Sequence, residues 1–240
     1  MALKVAIVGC GDMGQGFHAP AFAQTEGVEV VAACNRSEGR AKALAGKYNI
    51  PWYTRVAEML EKEEIDVVDV TTSERDRAEP LLQSLKAGVH IFCEKPLVGA
   101  NGQGNVDEPD LAKGKEIIDL WRESGKFFGI NFNYRYADHA QALKEQIESG
   151  VLGEPIYINA WAHLACWSHV IDLMRWFNGD VEEVSASMRN QESDRDRVAT
   201  LRFINGSLGT LGGTQHTSWD DDVLHVEYIG TKGRGRISDL

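Results

Sequence analysis

The chain has 240 residues, enough for one large domain or two smaller ones that bury a core without disulfide bonds. A formal net charge of −11 has the wrong sign for a general nucleic-acid or anionic-membrane surface, so a small molecule is the expected partner. Cys10, Cys34, Cys93 and Cys166 show no CxxC spacing, which indicates reduced core thiols and no metal site. The first apolar stretch is too short for a secretory signal or a membrane span, and we expect a cytoplasmic protein.

A glycine motif follows the first predicted strand. Residues 4 to 8 form a short β-branched run, and Gly9, Gly11 and Gly14 come directly after it, before a helical stretch. In this setting the glycines make the tight turn, let backbone approach a pyrophosphate and let helix and strand pack closely. Asp12 and Met13 complete a helix N-terminus whose N–H groups suit phosphates. The motif therefore predicts dinucleotide binding, with a merely structural glycine turn as the alternative.

The end of the second strand, residues 28 to 34, bears on the type of dinucleotide. NAD-binding folds place a carboxylate roughly 20 residues after the glycine motif, on the ribose 2′-hydroxyl. This chain has Asn35, Arg36 and Ser37 there. No carboxylate repels a 2′-phosphate, while Arg36 can pair with it and Ser37 can donate a hydrogen bond. NADP is favoured over NAD, and a solvated loop arginine is the alternative.

Helix and strand patterns alternate through the rest of the first half. Helices are expected over 38–48, 56–65 and 78–88, and strands over 66–73 and 89–94. This order predicts an α/β fold with a doubly wound parallel Rossmann sheet, in which ligands gather at the carboxyl ends of the strands. Five residues at or beside such ends are candidates for the cofactor cleft: Thr71, Thr72, Glu94, Lys95 and Pro96.

The pattern changes after the last Rossmann strand, which we place within 126–132. A helix over 139–153, a strand over 155–163 and a helix from about Ser168 lead into strand patterns that continue from Val181. Turn signals at Asn205-Gly206 and between Gly230 and Gly233 predict two hairpins.

We therefore expect residues 1–130 to form a dinucleotide-binding domain. Residues 131–240 are expected to form an α+β domain for substrate binding and dimerisation, with a mostly antiparallel open sheet. This second domain looks shortened.

Four segments in this order resemble the Gfo/Idh/MocA oxidoreductase family, which includes glucose-fructose oxidoreductase and inositol dehydrogenase. They are IVGCGDMG, AGVHIFCEKPL, FNYRYAD and SHVIDLMRWFNG, and FINGSLGTL and YIGTKGRGRI extend the resemblance over nearly the full chain. The resemblance implies an NAD(P)-dependent dehydrogenase that transfers a hydride between nicotinamide and a carbinol or carbonyl carbon of a sugar, polyol or related compound. It also implies a homodimer or homotetramer formed through the C-terminal sheet.

Lys95 matches the lysine of the family's E-K-P motif. The resemblance implies that it hydrogen-bonds the reacting oxygen and acts as general acid or base, or stabilises a developing alkoxide. Lysine suits this role when its ammonium is partly desolvated or lies near another cation. Glu94 would orient Lys95, and a cis bond before Pro96, frequent in the family, would aim it. From the residues alone, an exposed ion pair at a strand end is the alternative.

The resemblance also implies substrate-side residues in the second half. Tyr134 and Arg135 match a Y-R pair beside the substrate cleft, with packing and surface charge as the alternative. His169 matches a histidine that opens a helix and acts as a second catalytic residue, binding substrate or relaying a proton. Asp172, three residues later, can share its helical face or simply anchor the helix.

The sequence departs from the family pattern at three places. The aspartate usually found four residues before the histidine is Ala165 here, and the connection from strand to helix is short. Arg75 and Arg77 lie where the family has a different motif, and we expect them to be solvated charges rather than cofactor contacts. The missing aspartate motivates a rival hypothesis, a cofactor-binding sensor or regulatory protein without dehydrogenase turnover.

Overall fold

The computed structural model describes residues 2–102, 105–189, 196–218 and 223–238. The chain divides into two compact units, Met1–Asn131 and Phe132–Leu240, each with its own six-stranded sheet. The predicted α/β class is confirmed. Among the residues that the structure describes, no helix is long and apolar enough to cross a membrane.

The first unit is a doubly wound parallel sheet, as predicted. Its strands lie in the order β3-β2-β1-β4-β5-β6, and every neighbouring pair is parallel. The two-residue β3 was not predicted, because so short a strand leaves no periodic pattern. The elements are β1 (Leu3–Val8), α1 (Ala19–Gln24), β2 (Val28–Cys34), α2 (Glu38–Tyr48), β3 (Trp52–Tyr53), α3 (Val56–Lys62), β4 (Val67–Val70), α4 (Ala78–Lys86), β5 (His90–Cys93), α5 (Glu108–Ser124) and β6 (Phe128–Ile130).

The helix after the glycine motif begins with an irregular turn. Gly14–His18 is π-helical, and the Ala19 N–H bonds the Gly14 carbonyl before α1 continues. A π turn fits an extra residue into one turn and changes the direction of the side chains that follow. His18, the last residue of this turn, is buried.

The second unit is built on a mostly antiparallel sheet, which confirms the predicted architecture. The strand order is β12-β11-β7-β10-β9-β8, and among the described strands of this second sheet only β7 and β10 pair in parallel. Both predicted hairpins, β9–β10 and β11–β12, are present. The elements are α6 (Asp138–Glu148), β7 (Pro155–His163), α7 (Trp167–Asn178), β8 (Val181–Met188), β9 (Arg197–Phe203), β10 (Leu208–Thr214), β11 (Leu224–Gly230) and β12 (Arg234–Ser238), with 3₁₀ turns at Asn133–Tyr136 and Leu164–Cys166.

One face of this second sheet forms a core with the helices. Leu173 and Phe177 of α7 are buried in the same cluster as Ile158 of β7. Alternation along the strands sends the other side chains to the opposite face, where Val198 is 58% and Leu208 55% exposed. That face carries apolar side chains that none of the described helices of this unit covers.

The four cysteines are all buried and free, as predicted. Burial raises the pKa of Cys10 and of Cys93 to about 12. These thiols stay protonated at neutral pH, and they serve as small apolar core groups.

Candidate active site

Strand register in the first unit places polar side chains on one face of the sheet. Asp69 of β4 pairs with Phe92 of β5, and Glu94 follows Phe92 by two residues, so both carboxylates point to the same side. The Asn131 N–H donates to the Cys93 carbonyl, which sets Asn131 beside Glu94 at the end of β6. The carboxyl ends of β4, β5 and β6 thus bring three polar groups together.

His18 lies between the two carboxylates. Its Nδ1 is 3.1 Å from Oδ1 and 3.0 Å from Oδ2 of Asp69, and its Nε2 is 3.0 Å from Glu94 Oε1. Asn131 Nδ2 donates to the same Glu94 oxygen at 2.8 Å. We call Asp69, His18 and Glu94 the acid–histidine–acid cluster. All three residues are buried, with 0%, 5% and 6% exposure.

His18 and Glu94 are held in their ionised forms because each compensates the charge of the other. Burial alone would lower the pKa of His18, but hydrogen bonds and charge from Asp69 and Glu94 raise it to about 9. Burial would raise the pKa of Glu94, yet His18 and Asn131 outweigh it and lower that pKa to about 2. The pKa of Asp69 is raised by burial, against the opposing effect of His18. Only mutual pairing makes such buried charges tolerable.

The chain around Lys95 is held by buried groups on both sides. Glu94 Oε2 accepts the backbone N–H of Lys95 at 3.1 Å. The Lys95-Pro96 peptide bond is cis, as the resemblance predicts. Arg77 donates from its two terminal nitrogens to the carbonyls of Pro96 and Thr72. These contacts fix the backbone before and after the lysine.

Arg77 contradicts the expectation of a solvated charge. It is 3% exposed, because its guanidinium satisfies two backbone carbonyls that water would otherwise solvate. Arg75, by contrast, is exposed and lines the neighbouring cleft. The prediction was wrong for Arg77 because a charge run in the sequence does not show which member turns inward.

The glycine motif has the close contacts that its spacing requires. Gly9 has a φ of +108°, and a Cβ there would lie 2.6 Å from the Thr72 backbone nitrogen. A Cβ at Gly14 would overlap the Gly9 carbonyl oxygen, to which Thr71 Oγ1 donates at 2.5 Å. A Cβ at Gly11 would meet nothing nearer than Arg40 Nη1 at 3.9 Å. Gly11 thus leaves open space over the turn, as phosphate binding needs.

A cleft of about 700 Å³ lies beside this motif. That volume is within the range of small-molecule and cofactor sites. The predicted cofactor residues that line it are Gly9, Gly11, Asn35, Arg36, Thr71 and Thr72. Asp12 and Met13 are exposed at the helix start, Ser37 is exposed before α2, and Gly14 is buried behind Gly9.

The cleft is rich in cations although the whole chain is acidic. Arg40, Arg55, Arg75 and Lys113 line it together with Arg36, against the carboxylates of Asp76 and Glu79. Arg36 Nη2 pairs with Asp76 Oδ2 at 2.7 Å. Asn35 also connects the end of β2 to the glycine turn, because its Oδ1 accepts a hydrogen bond from the Cys10 N–H at 3.1 Å. The open turn and the cationic lining fit an anionic dinucleotide.

In the second unit, His169 lies within aromatic rings. It is 6% exposed, stacks on Tyr134 with ring centroids 4.3 Å apart, and meets the edge of Phe132 at 5.9 Å. The Tyr134 hydroxyl lies 3.4 Å from Cys166 Sγ. Burial and this contact raise the pKa of Tyr134, so the phenol stays protonated. These aromatic rings cover two sides of the imidazole.

Arg135 and Asp172 form a bidentate salt bridge. Arg135 Nε and Nη2 donate to the two Asp172 oxygens, each at 2.6 Å. The guanidinium also lies 5.5 Å from the ring centre of Trp176. Ala165 sits in the turn before α7, where its N–H donates to His163 Nδ1 at 3.1 Å. Asp172 thus anchors its helix to the 3₁₀ turn that carries Arg135.

Sequence reasoning missed three residues of the first unit: His18, Asp69 and Asn131. One signal was present, since Asp69 interrupts the apolar run VVDV and a buried acid needs a partner. The partner could not be read from the sequence, because His18 lies 51 residues away from it.

Residues 3–132 match an oxidoreductase family described by an NAD-binding Rossmann fold, and residues 161–236 match a C-terminal domain of the same family. D-glucoside 3-dehydrogenase of Escherichia coli (strain K12) is 36% identical over 157 residues, 65% of this chain and 42% of that protein. Inositol 2-dehydrogenase of Salmonella paratyphi B is 32% identical over 221 residues, 84% of this chain and 62% of that protein. The chain spans less than two thirds of the length of these curated relatives.

The fold has close counterparts among solved structures. A probable dehydrogenase from Thermotoga maritima superimposes with a TM-score of 0.85 at 25% identity, over 99% of this chain and 76% of that one. Sequence matches in both units and the shared fold lead to one assignment. This chain belongs to the Gfo/Idh/MocA oxidoreductase family.

Proposed function

We propose that the chain is an NAD(P)-dependent dehydrogenase that transfers a hydride between nicotinamide and a carbinol or carbonyl carbon of a sugar or polyol. The observation that carries the proposal is Lys95, held at the carboxyl end of β5 in the unit that bears the glycine motif. Open α/β sheets bind ligands at such strand ends. The two relatives are named as dehydrogenases of a glucoside and of inositol, and these names support a ring hydroxyl as the reacting group.

Oxidation of a carbinol removes a hydride from carbon and a proton from oxygen. The residues that line the cleft beside the glycine motif would hold the dinucleotide, which would supply the hydride acceptor. Lys95 takes the proton, or returns it during reduction, and its ammonium stabilises the alkoxide. In the second unit His169 binds the substrate or relays the proton, and Tyr134, Arg135 and Asp172 are the other substrate-side residues.

Replacing Lys95 tests this assignment. Lys95→Ala should lower kcat by about 10³-fold, the range of a lost acid–base group, while the Kd of the cofactor changes little. Lys95→Arg is the matched control, because it keeps the positive charge but cannot give up its proton at neutral pH. Steady-state kinetics over a panel of polyols and aldoses, with cofactor binding by fluorescence, give both quantities.

Two results would overturn the proposal. An unchanged kcat in Lys95→Ala would remove the role of that lysine. A wild-type protein that binds cofactor but turns over no polyol, aldose or corresponding ketone would favour the alternative, a sensor or regulatory protein. Ala165, in place of the family's aspartate, is the observation behind that alternative.

Within this function we favour NADP over NAD. The support is the cationic lining of the cleft and the absence of a carboxylate at residues 35–37, directly after β2. Arg36→Ala should raise the KM for NADP about tenfold and leave the KM for NAD nearly unchanged. Asp76→Asn removes the partner of Arg36 and is the matched control, expected to lower the KM for NADP. Equal effects on both cofactors would contradict the preference.

We also propose a homodimer or homotetramer through the open face of the second sheet. Val198 and Leu208 leave apolar area on that face. Light scattering at micromolar concentration should give a mass of at least two chains, and a monomer would contradict the proposal. A cytoplasmic location remains our prediction from the four free cysteines.

A further inference from the structure

We propose that His18 is a positioning residue for Lys95 and acts through Glu94. The inference rests on the proposed function, since it assigns how the reacting lysine is held. His18 is not one of the three glycines of the motif, and it lies 76 residues before Glu94 of the E-K-P motif. Its role follows from the acid–histidine–acid cluster.

The contacts of His18 require two protons. A neutral imidazole carries one N–H, and its other nitrogen is an acceptor. Here both ring nitrogens lie 3.0 to 3.1 Å from carboxylate oxygens, and two facing acceptors at that distance would repel. A proton must therefore lie in each contact. Whether the second proton lies on Nδ1 or on Asp69, whose pKa burial raises, Nε2 donates to the Glu94 carboxylate, and that contact is charge-assisted.

Glu94 links His18 to Lys95 because its two carboxylate oxygens accept hydrogen bonds from different groups. Oε1 accepts from His18 Nε2 and from Asn131 Nδ2, which fixes the rotamer of the side chain. Oε2 is then left to accept the backbone N–H of Lys95. The imidazolium also balances the charge of Glu94, which reduces its pull on the Lys95 ammonium. Without the Nε2 donor, Glu94 could turn towards that ammonium.

The local backbone is built to deliver this histidine. The π turn Gly14–His18 begins at the last glycine of the motif, whose missing Cβ lets the helix approach the Gly9 carbonyl. His18 then packs over the sheet face, with its ring 5.9 Å from that of Phe92. Single π turns are frequent at functional sites. The groups that act on His18 here are Asp69, Glu94 and Asn131.

A pair of nearly isosteric variants separates the two contacts of the ring. The amide nitrogen of glutamine can reach the position of Nε2, whereas the shorter asparagine amide reaches only that of Nδ1. His18→Gln therefore keeps the donor to Glu94 and loses the contact with Asp69. His18→Asn keeps a donor to Asp69 and loses the contact with Glu94. Adding Asp69→Asn to His18→Gln removes the unpaired buried charge, so we expect the double variant to fold.

The proposal predicts unequal losses of kcat. His18→Asn should lower kcat about 100-fold, the effect of misplacing a reacting group by about 1 Å, with cofactor Kd unchanged. The double variant His18→Gln/Asp69→Asn should keep kcat within about threefold of wild type. Equal kcat losses in the two proteins, measured where urea titration shows both folded, would overturn the positioning role.

A measurement independent of turnover keeps the two proposals apart. Nitrogen-15 NMR of labelled histidine, assigned with the His18 variants, should show Nε2 of His18 protonated at neutral pH. An unprotonated Nε2 would refute the donation to Glu94 even in an active enzyme. A protonated Nε2 in a wild-type protein without turnover would instead count against the proposed function, and equal kcat in an active pair against the positioning role alone.

Discussion

The two histidines of interest have different neighbours. His18 in the first unit lies between Asp69 and Glu94, charged groups from strands far apart in sequence. His169 in the second unit lies against the rings of Phe132 and Tyr134, which come from one short segment. Charge compensation is directional and fails when one partner is lost, whereas ring packing loses only its share of contact. The two sites should therefore respond very differently to substitution, pH and salt.

The largest contrast is expected in stability. Asp69→Ala leaves the imidazolium of His18 without one of its carboxylates inside the protein, and should lower the free energy of unfolding by about 3–5 kcal/mol. Tyr134→Phe keeps the ring over His169 and removes only a hydroxyl beside a sulfur, which should cost about 1 kcal/mol or less. Urea unfolding followed by fluorescence measures both. Asp69→Asn is the control that keeps the shape, and equal costs for Asp69→Ala and Tyr134→Phe would erase the contrast.

The second contrast is in pH dependence. The folded pKa of His18, about 9, lies above its ordinary value of 6.5. Its contribution is therefore complete below pH 6.5 and is lost as the pH rises through about 9. The folded pKa of Glu94, about 2, lies below its ordinary 4.5, so its contribution is complete above pH 4.5 and is lost as the pH falls towards 2.

Unfolding free energies at a series of pH values test this. Wild type should lose roughly 1–3 kcal/mol between pH 7 and 10 through His18. The double variant His18→Gln/Asp69→Asn should lose less over that interval, because neither replaced group titrates. Parallel curves for the two proteins would show that the alkaline loss comes from elsewhere.

Whether a feature depends on neighbouring residues or on residues far apart in the chain explains what the sequence could predict. Strands, hairpins and the glycine motif were predictable because neighbouring residues determine them, and the cis bond before Pro96 was implied by the family resemblance. The bonds of His18 to Asp69 and Glu94 depend on strand register and on a π turn, which no local pattern indicates. Arg77 was misjudged for a similar reason, since its partners are the backbone carbonyls of Thr72 and Pro96.

The residues around His169 were named from the family resemblance, and they lie in two short segments of the chain. Tyr134 and Arg135 lie in one 3₁₀ turn, and His169 and Asp172 share the first turns of α7. Pairing within these two segments needs only that the turn and the helix pack together. The bidentate bond between Arg135 and Asp172 was still not predicted, since helical spacing places Asp172 near His169 without naming a partner.

The smallest contrast concerns salt. Arg135 is 37% exposed at its side chain, so its pair with Asp172 is partly screened, while the cluster around His18 is closed to solvent. Arg135→Lys keeps the charge but loses the two-pronged geometry and the contact with Trp176, and should cost about 0.5–1 kcal/mol. In 1 M NaCl, where the Debye length is about 3 Å, that cost should shrink, whereas the cost of Asp69→Asn should stay the same. Urea titrations at low and high salt give both values. A cost of Arg135→Lys that salt leaves unchanged would mean that the pair is as enclosed as the cluster, and that packing on Trp176 rather than charge sets its strength.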